Sequence, residues 1–169
     1  MARGAGSRTI GITVDLDAFN ELVRQVADAS DDAVIPAADA GAKVIYQATR
    51  EATPMGEKGH WFTGYNYKDR IVKGVLKAGT GQRYWFNAGT LRASIYHVLS
   101  KDNSGPGYAT YHISWNYKKA PYAFMVHNGT SKAAARPFVI MGYERAAVAA
   151  QDAAANTYID ILTKRGLLS

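Results

Sequence analysis

The chain has 169 residues, enough to bury a real core within one domain, and its hydrophobic and charged shares of 47% and 20% are ordinary for a globular protein. Twenty basic residues against 14 acidic ones leave it at +6, a balance that attracts nucleic acid or acidic protein partners without choosing between them. There is no cysteine, which excludes disulfides and thiolate metal sites, and no apolar run approaches the ~20 residues needed to span a bilayer.

Residues 1–8 are rich in Gly, Ala, Ser and Arg, lack the apolar stretch of a signal peptide, and read as a flexible arm, with a basic arm that orders on a partner as the alternative. Residues 9–14 alternate Ile10, Ile12 and Val14 with small or polar residues, the period of a short strand. Asp15 or Asp17 is placed to cap the helix that follows, because a carboxylate accepts from the unpaired N–H groups of a first turn. Leu16, Phe19, Leu22, Val23 and Val26 recur at three and four and predict its buried face. Asp31 and Asp32 predict the start of a second helix, with Pro36 tolerated in its first turn. Val34, Ala37, Gly41, Val44, Ile45 and Ala48 form its apolar face, and Pro54 ends it.

Residues 55–88 are dense in glycine and aromatics and predict an ordered excursion inserted into the domain, since disordered segments are poor in aromatics. Within it, 70–77 fits a short strand and a helical turn equally. Leu91, Ile95, Val98 and Leu99 fit a helical turn running into a strand. Residues 101–107 are turn chemistry, and 108–117 alternate cleanly, so the pair predicts a hairpin. A short strand or turn over 122–126 closes at Asn128 and Gly129, residues that tolerate positive φ. Pro137 opens a long last helix with Met141, Val148, Ala155, Ile159 and Leu162 on one face, stopped by Gly166. This order predicts a single α+β domain over 9–169. A small antiparallel sheet is packed on one side by two N-terminal helices and the long C-terminal helix, with 55–88 as a loop excursion.

No constellation reads as catalytic, metal-binding or cofactor-binding, and no cofactor is implied. His60, His97, His112 and His127 form no i, i+4 pair. Neither a nucleophile elbow nor a phosphate-cradling glycine loop is present. The acidic residues cluster at predicted helix starts, where the helix dipole accounts for them. His97, His112, Tyr111 and Arg92 near the hairpin are the nearest thing to a hydrolase or nuclease set. The segment 58–86 interleaves Lys58, Lys68, Arg70, Lys73, Lys77 and Arg83 with aromatics. That mixture suits stacking on nucleic-acid bases, giving the alternative reading of a nucleic-acid-binding module, and it equally suits a protein interface.

Three segments carry a resemblance. Gly-Thr-Leu-Arg-Ala-Ser-Ile at 89–95 is similar to a T-G-x-L-R-x-S-I motif, with Gly and Thr exchanged. Pro-Tyr-Ala-Phe-Met-Val-His-Asn-Gly-Thr-Ser-Lys at 121–132 is similar to P-Y-A-x-x-V-E-x-G-T-S-K, and Ala-Arg-Pro-Phe at 135–138 to A-R-P-F. In this order they resemble the head–tail joining, or tail-completion, proteins of long-tailed bacteriophages, over residues 89–165. His127 stands where that family has an acid, and 55–88 is longer than the family's usual link. The resemblance implies a non-enzymatic component of the virion neck or tail, assembled in the host bacterial cytoplasm. It implies a homo-oligomeric ring, hexameric or dodecameric. Its neighbours would be connector, tail-terminator or tail-tube proteins, with phage DNA in the channel and no membrane contact. Interface residues expected on this basis are Trp61, Phe62, Tyr65, Tyr67, Trp85, Arg92, Tyr122, Arg136 and Phe138.

Overall fold

The structure is a computed structural model that describes residues 16–63 and 68–168. The arm at 1–8, the strand expected at 9–14, the cap at Asp15, and Tyr65 and Tyr67 lie outside the described residues. The architecture is α+β: long N- and C-terminal helices packed together, with small antiparallel sheets of two strands each.

Two helices were expected before Pro54; the chain forms one. Helix α1 runs unbroken over Asp17–Ala52 with Pro36 inside it. An internal proline deletes one backbone hydrogen bond and costs about 3 kcal/mol. Here Pro36 and Asp32, whose carbonyl loses that bond, are both exposed, so the loss does not fall on a buried residue. The helix continues because one buried stripe, Ala29, Ala33, Ala37 and Gly41, recurs every fourth residue straight through the expected break. Asp17 is the first helical residue rather than the cap, and the cap position, Leu16, makes no side-chain hydrogen bond. Asp32 caps nothing; it accepts from Arg165 at 2.8 Å.

The stripe packs on helix α4, Phe138–Lys164. The two run antiparallel: Thr49 meets Gly142, Gly41 meets Ala150 and Ala154, and the Ser30 hydroxyl meets that of Tyr158. Contact is between backbones. A Cβ on Gly142 would lie 2.4 Å from the Thr49 Cα, and one on Gly41 would lie 2.8 Å from the Ala150 carbonyl oxygen. The buried face of α4 is therefore Phe138, Gly142, Ala146, Ala150 and Leu162. The expected face was led by larger residues, but Val148 and Ile159 are exposed and Ala155 faces outward with them. Small residues won the seam because they let the helices approach closely. Helix α4 ends as expected: Gly166 takes φ +71°, its N–H reaches the Thr163 carbonyl and Leu167 N–H reaches that of Leu162.

The excursion is a β arm. Strands β1 (His60–Thr63) and β4 (Arg83–Phe86) pair antiparallel at its root. Strands β2 (Arg70–Val72) and β3 (Val75–Lys77) pair at its tip. Lys73 and Gly74, both at positive φ, make the tip turn, so the strand alternative holds for 70–77. Between root and tip, Asp69 accepts from Gly79 N–H at 2.7 Å.

Gly89, at φ +80°, leads into α2 (Thr90–Ser94), which hands directly to β5 (Ile95–Leu99). A 3-10 turn at Lys101–Asn103 and a bridge between Gly105 and Tyr108 connect it to β6 (Tyr111–Trp115), the expected hairpin. The short element before Gly129 is helical, α3 (Ala123–Asn128), not a strand. Leu91, Ile95, Ala120, Tyr122, Ala123 and Phe138 form the main apolar core, with Tyr46, Phe62, Phe86 and Trp115 packed against it.

Candidate functional site

The three motif segments each have a local structural task. In the first, Thr90 donates to the Asn87 carbonyl at 2.8 Å and Ser94 to that of Leu91 at 2.7 Å, which shapes the turn of α2. Arg92 then reaches across to the end of α1, where its Nη2 donates to the Thr53 carbonyl at 3.0 Å. That carbonyl sits just past the last turn of α1, where helix carbonyls lack partners and a cation is favoured. In the second, Tyr122 is buried against the rings of His60, Phe62 and Phe86, with burial pushing its phenol above the usual pKa range. Gly129, at φ +76°, reverses the chain. A Cβ there would meet the Ala135 backbone nitrogen at 2.7 Å, so only glycine fits. Thr130 bridges to Ala133, and its hydroxyl accepts from the backbone of Lys132 and Ala133. In the third, Arg136 N–H returns to the Val126 carbonyl at 2.9 Å, and Phe138 is fully buried.

The expected interface residues therefore divide. Phe138 and Tyr122 belong to the core, and Phe62 is half-buried beside them. Arg92 is a brace within the fold. Trp61, Trp85 and Arg136 are on the surface. Trp61 and Trp85 are a cross-strand pair, edge to face at 5.3 Å, with the Trp85 indole N–H held by Asn87 at 2.9 Å. They occupy the outer face of the arm's root. His60, Phe62 and Phe86 occupy its inner face, as strand alternation requires.

Between that inner face, α3 and the 129–136 loop lies a groove of about 570 Å³. Phe62, Leu91, Tyr122, Met125 and Val126 give it apolar walls, and Lys58, His60 and Arg136 are its basic residues; among the described residues no carboxylate lines it. It can hold apolar side chains flanked by negative charge. The sequence did not single out Lys58, His60 or Met125 as partners, since they come from separate segments that only the fold brings together.

A second polar cluster lies where α1 crosses β5 and β6. Asp39 accepts from Lys43 at 2.6 Å and approaches His97 at 3.4 Å, and the His97 ring stacks with Tyr111 and lies tilted against Tyr46. The Lys43 ammonium holds the Asp39 carboxyl below its ordinary range, and burial raises Tyr111. His112 is on the opposite face of β6, and Arg92 is committed to Thr53, so the four residues named with the hairpin do not converge. His127 packs its ring against Trp115 and Phe138. Among the described residues no group of three or more His, Asp and Glu could hold a metal ion, and no helix is long and apolar enough to cross a membrane. No family model, curated protein or solved structure matches this chain.

Proposed function

We propose that this chain is a structural subunit of the neck or tail of a long-tailed bacteriophage, acting as one member of an oligomeric ring that joins or completes the head–tail connection. The observation that carries this reading is that the three motif segments, in their family order, meet around one groove. Gly89 and Leu91 come from the first, Tyr122, Met125, Val126 and Thr130 from the second, and Arg136 from the third. The groove's chemistry is that of binding: apolar walls, two cations, an imidazole and no acid to complete a catalytic pair. Disrupting the gene in the phage that carries it tests the reading. The expected result is filled heads and separate tails, rejoined when the chain is supplied from a plasmid; normal infectious virions without the chain would overturn it.

A second reading is favoured by the arm. Residues 58–86 hold six basic side chains against one carboxylate, with Trp61, Tyr84 and Trp85 exposed among them. This suits a single strand whose bases stack on rings while its phosphates meet cations. Binding would weaken steeply with salt and vanish when Lys68, Arg70 and Lys73 are replaced by Glu. An oligonucleotide that fails to bind at low salt would eliminate it.

A further inference from the structure

Helix α1 is longer than its partner, 36 residues against 27, and the excess lies at its N-terminal end. Arg165, just past the end of α4, reaches Asp32, and Ala29 is the first buried residue of α1. Every residue from Leu16 to Asp28 is exposed. Yet this overhang is amphipathic. Leu16, Phe19, Val23 and Val26 fall at i, i+3, i+7 and i+10, and Leu22 sits beside them, all between 43% and 61% exposed. A helix that presents such a ridge is built to lay it into a groove.

We infer that the α1 overhang of one copy seats in the arm-root groove of a second copy, a head-to-tail contact. The proposal deepens the ring reading above and rests on it for the closure of the ring. The first argument is geometric. The groove lies at the far end of α1, where Pro54 and Gly56 line it. A helix of 36 residues is about 54 Å long, so a chain's own overhang cannot reach its own groove. The second argument is charge. Between Leu16 and Asp28 the overhang carries Asp17, Glu21 and Asp28 against Arg24. The groove offers Lys58, His60 and Arg136 with no carboxylate. Two overhangs laid together would set acid against acid, whereas overhang and groove attract. The third is symmetry. Two different patches at opposite ends of one subunit make a heterologous contact, which repeats from copy to copy and closes when the rotation allows.

The chain has no cysteine, so single cysteines report contacts without background. Val23→Cys on the overhang and Ala134→Cys on the groove rim are made separately, mixed, and treated with a short bismaleimide; Met125→Cys provides a second groove position. The mixture is expected to yield a cross-linked dimer, and the double variant a ladder of higher multiples. Glu21→Lys with Asp28→Lys should lower the yield about tenfold, and adding Lys58→Glu with Arg136→Glu on the groove copy should restore it. Circular dichroism confirms that each variant is folded. Coupling of Val23→Cys to itself would overturn the proposal in favour of a symmetric helix pair. Capture of a different virion protein by Ala134→Cys in purified particles, or no coupling in solution or in particles, would also overturn it. A ladder from a chain that is dispensable for virions would contradict the neck reading alone. A chain essential for virions that gives no ladder would contradict this contact alone.

Discussion

The seam between α1 and α4 and the surfaces at the two ends of α1 use opposite side-chain choices. In the seam, Ala29, Ala33, Ala37 and Gly41 face Gly142, Ala146 and Ala150 so closely that one added Cβ would overlap a neighbouring backbone. Away from the seam, Phe19, Leu22, Trp61, Ile71, Leu76 and Trp85 are exposed. Between these two regions the usual partition is inverted, although the core around Phe138 keeps its large residues inside. The inversion shows where each kind of energy is stored. Close backbone packing holds the chain together, while the large apolar groups remain available to a partner.

Variants can break or sharpen that contrast, and the largest effect belongs to the seam. Gly142→Leu is expected to cost about 3 kcal/mol or more, because the Thr49 backbone cannot move aside as a flexible side chain would. Val148→Ser on the outer side of the same helix should stay within about 0.5 kcal/mol in the same urea titration. If the two are equally costly, the seam is not where stability resides. Next comes the core beside the groove: Phe138→Ala should cost about 3–5 kcal/mol, whereas Trp61→Ala, more than half exposed, should cost much less. Thermal melts of the pair separate a core ring from a surface one.

Arg92→Met should follow at about 1–3 kcal/mol, since it leaves the Thr53 carbonyl without its guanidinium partner. A neutral result would show that the motif arginine does not brace the end of α1. The Asp39 pair gives a smaller, pH-dependent effect. Its folded-state pKa is lowered by the hydrogen bond from Lys43, so its contribution is complete above the unfolded carboxylate value and lost as pH falls through the folded one. Asp39→Asn should therefore lower stability slightly at neutral pH, flatten the acid side of the stability curve from about pH 4 downward, and converge on the parent protein at low pH. The smallest effect belongs to the arm tip, where Ile71→Ser and Leu76→Ser should each change stability by no more than about 0.5 kcal/mol.

Much of this was legible in the residues. Tyr111, Ile113 and Trp115 alternate as a strand must, and Gly166 and Pro137 mark the ends of α4 closely. The continuity of α1 was not legible, because Pro36 and the Asp31–Asp32 pair are local stop and start signals. The stripe that overrides them is stabilised only by contact with α4, more than a hundred residues later in the chain. The same non-local contact misled the reading of both helix faces. Periodicity marks Leu16, Phe19 and Val23 as a face, but only the length of α4 decides that this helix does not cover it, and all three are exposed among the described residues. In the arm, Lys73-Gly74 was a usable turn signal, whereas the pairing of Trp61 with Trp85 depends on a register set across 24 residues of separation. The groove was invisible for a related reason: its walls come from β1, α2, α3 and the loop before α4.

Imaging the intact particle at a resolution that traces helices would test the central claim most directly. The expected result is a closed ring of this chain between head and tail, with the Leu16–Asp28 turns of each copy lying in the groove beside Tyr122 and Arg136 of the next. Particles that lack the chain, or contain it with both the overhang and the groove facing solvent, would contradict it.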